Sequence, residues 1–359
     1  MDPDTVARAR LATQRLSGPP AADPVQVVRE LLAVQAQDAP LAQAMVALRC
    51  AGTAAQVAAA VARGALIRTH VLRPTWHYVA AGDLRPLLQL TSAKVEAGMG
   101  SRHRQLDLTG RRLDAALDTV RTRLEGRRFA TRNSLGDSLA DAGVLDRGDA
   151  RFGQQVGHVL LVAELRALLC SAPLADPEHH YALAEEVLPP AGPFDREQAL
   201  TDLVARFVAG HGPVALADLQ RWARVTLAEA RAALGRLDDV ERVEVGGEEL
   251  WYSPASALPE TRPQRAWLLS TFDEAFLSYR RLGWRRSPGN PDGPDERRFA
   301  QSGGGAVLCD GLDVGGWKRR WDRGRARIDL SVDPDLSGPA RRAVDAASDR
   351  LLAAIGAAA

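Results

Sequence analysis

Residues 66–79 read LIRTHVLRPTWHYV. Two β-prone runs, Leu66–Leu72 and Thr75–Val79, flank Arg73-Pro74, and a proline turns the residue before it away from helix. The stretch therefore predicts a hairpin with its turn at Arg73-Pro74. Upstream, apolar spacing predicts helices over roughly 4–16, 24–36, 41–49 and 54–63. Helices closing on a hairpin is the winged-helix order. The rhythm returns twice downstream. One stretch has helices at Leu113–Leu124 and Phe152–Leu169, a short one opening at Thr131–Leu135, and a strand pair after them. The other has a helix at Gln198–Ala209, a helix-turn-helix over Val214–Trp222 and Thr226–Leu234, and strands Val240–Val245 and Glu249–Tyr252 about Gly246-Gly247. Pro189–Pro193 reads as a linker. Beyond Tyr252, Ser253–Pro263 is irregular, Ala266–Arg280 mostly apolar, Arg285–Arg298 a polar loop, Ala306–Val332 strand-like and Pro339–Ile355 an amphipathic helix. The fold class is α+β, mainly helical.

The chain has 359 residues, 25% of them charged and 46% hydrophobic, an ordinary globular composition with room for several domains. No apolar run reaches the length of a membrane span, and MDPDTVARAR lacks the apolar segment of a signal peptide, so a cytoplasmic protein is expected. Cys50, Cys170 and Cys309 are far apart, without metal-ligand spacing, which predicts free thiols and no metal site. The formal net charge is +1, and a balanced total neither supports nor excludes DNA, since a basic groove can face away from an acidic back. Lys94 and Lys318 are the only lysines.

The stretch LLAVQAQDAP at 31–40 carries the most chemistry. Gln35 and Gln37 would diverge by roughly 200° on an ideal helix, so they can share a site only where a helix ends. Pro40 supports such an end, and Asp38 suits the cap of a following helix. Two neutral amides at a helix end can position a water or a base; they suit neither a metal nor a charged nucleophile. Trp76 and His77 fall on opposite faces of the hairpin by alternation, with His77 a candidate for a DNA-facing accessory role. Arg68 and Arg73 are candidate phosphate contacts. The run Trp317-Lys318-Arg319-Arg320-Trp321-Asp322-Arg323 is the densest basic and aromatic cluster, suited to a phosphate backbone and a stacked base. A half-buried strand would instead put Trp317, Arg319 and Trp321 on one side and Lys318, Arg320 and Asp322 on the other.

Five motifs in register, VQAQD, RTHVLRPTWHYVAAGDL, GHGPVALADLQRW, LLSTFDEAFLSYR and DGLDVGGWKRR, resemble the YcaQ/AlkZ-like family of bacterial DNA glycosylases over essentially the whole chain. The resemblance implies three tandem winged helices, at 1–90, 91–188 and 194–254, with a β-rich C-terminal domain at 255–359, arranged as a C-shaped channel for double-stranded DNA carrying alkylated purines. It makes Gln35 and Gln37 the catalytic pair that holds a water. Asp38 is an accessory candidate as general base, although its capping position favours a structural role. The Gln-x-Gln form resembles the AlkZ branch, which includes self-resistance enzymes acting on bulky guanine adducts. The expected activity is hydrolysis of the N-glycosidic bond of N7-alkylated guanine, extending to bulky adducts or interstrand crosslinks, by a monomer without a cofactor. With no lysine near the motif, Schiff-base lyase chemistry is not expected. Phe272-Asp273-Glu274 and Tyr279-Arg280 match a family signature, and their carboxylates read as partners of nearby arginines. The alternative function is a non-catalytic winged-helix DNA-binding protein or transcription regulator.

Overall fold

A computed structural model describes residues 1–50, 52–176, 178–255, 265–280, 285–290, 303–322 and 325–356. Much of the expected loop regions Ser253–Pro263 and Arg285–Arg298, and all of Arg323, lies outside them. Of the described residues, 48% are helical and 20% lie in strands, a mixed helix and sheet fold. It divides into two compact units: Met1–Ala58 with Leu200–Ala359, and Ala59–Ala199.

In the first unit, short N-terminal helices and the C-terminal sheet share one core. Helix Pro3–Thr13 starts at the Asp2 cap, and helix Ala39–Ala47 at Asp38 with Pro40 in its first turn. Their apolar faces, Leu11, Leu41, Ala44 and Met45, are buried with Trp267, Leu269, Phe276, Val307, Leu308 and Trp317. The sheet runs Arg285–Arg286, Leu312–Asp322, Gly304–Cys309, Ala266–Ser270, with Arg325–Val332 also paired to Leu312–Asp322. Helix Gly338–Gly356 adds Val344, Leu351 and Ile355 to this core. The helix-turn-helix of the sequence reading is present as Leu216–Ala223 and Leu227–Leu234, separated by Arg224 at φ 59°. The ribbon after it, Glu241–Val245 with Glu248–Tyr252, turns at Gly246-Gly247, both at positive φ.

One expected helix is wrong in a way that matters. The run predicted over 24–36 stops at Glu30. Leu31 caps it, Leu32 turns left-handed at φ 65°, and Val34–Gln35 becomes a two-residue strand. The end of this helix is fixed from outside. The Arg206 guanidinium donates to the Arg29 carbonyl at 2.5 Å, and a Cβ on Gly210 would stand 2.2 Å from the Glu30 carbonyl oxygen. Helix Arg196–His211 can approach this closely only because residue 210 has no side chain. Gly210→Ala is therefore expected to lower stability by on the order of 2 kcal/mol or more, read as a fall in melting temperature.

In the second unit, the hairpin is present as Leu66–Val71 and Arg73–Ala80. Its turn lies one residue earlier than expected: Leu72 takes φ 64°, and Arg73 and Pro74 belong to the second strand. The helix Ala81–Ala97, with Pro86 inside it, was not anticipated. Helices Gly110–Leu124, Arg132–Asp141 and Phe152–Leu165 bury Leu113, Val120, Leu135, Leu139, Val159 and Leu160 together, beside the strands Leu169–Ser171 and His180–Leu183. Among the described residues, no helix is long and apolar enough to cross a membrane.

Candidate functional site

Because the helix ends at Glu30, Gln35 lies in a two-residue strand and Gln37 in the bend that follows it, rather than on a helical turn. The expected helix-end delivery of two amides is thus replaced by a short strand followed by a bend. Gln35 is buried, at 6% exposure, and Gln37 is exposed. The pair straddles the step from interior to solvent. Asp38 follows as the cap of helix Ala39–Ala47: Oδ1 accepts from the Leu41 amide at 3.1 Å, and Oδ2 from the Arg319 guanidinium at 2.9 Å. Through these bonds Asp38 caps the helix and ties the loop to the sheet, the structural role that its capping position predicts. Arg319 has a second feature: its Nη1 is buried without a partner among the described residues.

The main chain of Gln35 is held from behind. Its amide donates at 3.0 Å to Oε1 of Glu274, a carboxylate only 1% exposed. Oε2 of Glu274 accepts from the Trp222 indole at 2.9 Å and from the Ser278 hydroxyl at 3.0 Å. Asp273 caps the short helix Glu274–Leu277 and takes a bidentate contact from Arg49, at 2.7 and 2.8 Å. Arg49 also donates to the Gln14 carbonyl at 3.0 Å and to the Gln14 side chain at 3.2 Å. Gln14 donates to the Tyr279 hydroxyl at 3.0 Å, and Tyr279 in turn donates to the His211 carbonyl at 2.7 Å. The signature Phe272–Arg280 is thus the hub of a buried polar network behind the glutamines. The sequence reading paired both carboxylates with arginines. That describes Asp273; the role of Glu274 toward Gln35 was missed, because a strand amide leaves no sequence signal.

The remaining site candidates separate by burial. Trp317, expected on DNA, is 1% exposed and donates its indole N–H to the Leu269 carbonyl at 3.1 Å. It is a core residue, because its strand is covered at that end by the sheet and the N-terminal helices. Lys318 and Arg320 are exposed on the other face, and Arg320 pairs with Asp329 across the ribbon. Trp321, 54% exposed, has the Arg319 guanidinium 5.7 Å from its ring centre. The alternation of a half-buried strand therefore describes Trp317–Asp322, fading toward solvent at its far end.

On the hairpin of the second unit, Arg68 stacks over Trp76 at 4.3 Å, and Arg73 contacts Nε2 of His77 at 3.2 Å. His77 is fully buried, with Nδ1 2.8 Å from the Thr75 carbonyl, so the expected DNA-facing imidazole is interior. Burial, and then Arg73, hold His77 well below the usual imidazole range. His70, given no role from sequence, has Nδ1 2.5 Å from the buried carboxylate of Glu164. Burial also lowers His211 to about 3. An unfolded imidazole takes a proton below about pH 6.5, whereas His77 and His211 do so only far lower. Each contributes stability that is complete above pH 6.5 and is lost as the pH falls through the range below it. The melting temperature is expected to drop steadily from pH 6.5 toward pH 4.5, roughly tenfold in folding equilibrium per pH unit for each such group. His211→Phe should make the slope shallower; an unchanged slope would contradict this assignment.

Among the described residues, no cluster of His, Cys, Asp or Glu could hold a metal ion, and all three cysteines are buried and unpaired.

A family model described as DNA glycosylase AlkZ-like matches residues 28–354 of the chain. Among solved structures, the Streptomyces sahachiroi DNA glycosylase AlkZ is similar over 99% of this chain and 97% of its own, with a TM-score of 0.77 at 23% identity. At that identity the likeness shows the fold. No curated protein matches the chain.

Proposed function

Since the chain belongs to the AlkZ-like DNA glycosylase family, with DNA as its partner, we propose that it hydrolyses the N-glycosidic bond of N7-alkylated guanine with a water held by Gln35 and Gln37. The observation that carries the reading is the pair itself: one amide buried and clamped through its main chain, the other exposed two residues on.

An N7-alkylated guanine carries a positive charge and leaves as a neutral base, so the enzyme need not protonate it. The bond from C1′ to the base breaks with its electron pair going to the base. Water adds to the oxocarbenium-like C1′, and its proton passes to solvent. The protein then has to hold the water and steady the charged sugar. Each glutamine side-chain oxygen can accept a hydrogen bond from that water, while the NH2 groups remain donors for a phosphate or the adduct. Asp38 is not needed as a base in this scheme; it caps helix Ala39–Ala47 and pairs with Arg319.

The fuller proposal follows the same line: three winged helices around an open channel, bound by a monomer that grips the backbone on either side of the lesion. A bulky cationic adduct then need not be turned into a tight pocket. Bulky genotoxin adducts and crosslinks fall within such a channel, in base excision repair or self-resistance. Exposed Lys318 and Arg320 are its backbone contacts on the C-terminal ribbon, and Arg68 and Arg73 those on the hairpin. Lys318→Ala is expected to weaken DNA binding similarly for all sequences and to reduce the salt slope by about one unit, whereas Trp317→Ala should cost about 3–5 kcal/mol of stability instead. Binding titrations at several salt concentrations, with melting curves, separate the two.

The activity test is direct. Duplex DNA with one N7-methylguanine is incubated with the protein and then treated with alkali. Strand breaks at the lesion are the expected result. Absence of breaks for small and bulky adducts, together with tight binding to one undamaged sequence, would favour a transcription regulator.

A further inference from the structure

We infer that Glu274 is a positioning residue: it fixes the main chain of Gln35, and so aims the Gln35 side chain at the attacking water. The inference rests on the proposed role of Gln35 in catalysis.

Val34–Gln35, a two-residue strand, carries the more buried of the two glutamines. A glutamine reaches its target through several rotatable bonds from its Cα. A displacement there of about 1 Å is enough to cost on the order of 100-fold in rate. The Glu274 carboxylate meets this strand at the Gln35 amide, at 3.0 Å. Burying a carboxylate is unfavourable unless its lone pairs are used, so a core-filling role alone would favour an apolar side chain. Here the lone pairs take three donors: the Gln35 amide on one oxygen, the Trp222 indole and the Ser278 hydroxyl on the other. Glu274 is itself anchored. Gln14 donates to its carbonyl at 3.3 Å, and Asp273, clamped by Arg49, caps its helix. The line Arg49, Asp273, Glu274, Gln35 thus carries the rigidity of the core to the edge of the site.

Glu274→Gln tests this. It keeps the size but turns one acceptor into an NH2 group, so a donor must face a donor, either the Gln35 amide or the Trp222 indole. Excision of N7-methylguanine in a single turnover is expected to fall about 10- to 100-fold, while affinity for the same duplex stays within about twofold. The second variant, Trp222→Phe combined with Glu274→Gln, removes the indole donor. The amide oxygen can then serve Gln35 while its NH2 faces the Ser278 hydroxyl. This double variant is expected to recover most of the lost excision although it is less stable; a merely structural role predicts that it is worse than Glu274→Gln. If Glu274→Gln alone fails to fold, the double variant decides: folded and active supports the role, folded and inactive overturns it. Undiminished excision by Glu274→Gln, in a series where Gln35→Ala is inactive, overturns the role of Glu274 and leaves that of Gln35 intact. Undiminished excision by Gln35→Ala overturns the reading on which the inference rests.

Discussion

Gln37→Ala and Gln35→Ala each lower single-turnover excision by on the order of 100-fold or more, with DNA affinity nearly unchanged. Both side chains are assigned to a water that matters only as the glycosidic bond breaks, and an interaction made only in the transition state affects rate and not binding. Gln37 is exposed at the end of the loop, so its replacement removes little packing. Gln35 is buried, but Glu274 holds it by its main-chain amide, which alanine keeps. The expected signature is therefore intact folding, intact binding and lost chemistry. Loss of binding in step with activity would show that the glutamines are structural.

Arg49→Ala is expected to damage the fold severely. Arg49 is 1% exposed and Asp273 equally so, in a bidentate pair with contacts at 2.7 and 2.8 Å. Removing one partner strands a charge in the core and costs about 3–5 kcal/mol. It also leaves the Gln14 and Met45 carbonyls without the Arg49 donor. Replacing both partners, as in Arg49→Met with Asp273→Leu, should be less harmful than Arg49→Ala, because no charge is left alone. Melting curves of the two variants make the comparison; a double variant less stable than Arg49→Ala would contradict it. Arg49→Ala should further weaken excision, because the Glu274 turn depends on Asp273 as its cap.

Much of the architecture was legible where local chemistry is strong. Gly246-Gly247 fixed a ribbon turn, Asp38 with Pro40 a helix start, and the helix-turn-helix spacing around Arg224 two short helices. Errors arose where distant parts of the chain decide the outcome. The apolar run through 24–36 looks helical, but Leu32 turns left-handed and helix Arg196–His211 abuts the end at Glu30 through Gly210. The turn at Leu72 was misplaced because a proline next door is the louder signal, although Pro74 fits within a strand. Ala81–Ala97 escaped notice because Pro86 interrupts its pattern, while proline in the early part of a helix does limited damage.

The site divides in the same way. Gln35, Gln37 and Asp38 were singled out from the sequence as candidates, and the cap made by Asp38 follows from its position. Asp38's bond to Arg319, the Glu274 contact and the Arg49 clamp join residues more than two hundred positions apart. No spacing rule reaches that far. Trp317 and His77 were misjudged as DNA contacts because a basic or aromatic neighbourhood says nothing about which face is covered.

The most direct test of the central claim is a single-turnover reaction on a duplex holding one N7-methylguanine, with the released base identified by its mass. Release of free 7-methylguanine and formation of an abasic site, both lost in Gln35→Ala and Gln37→Ala, is the predicted result. No released base, or base released equally well by both variants, would contradict the account.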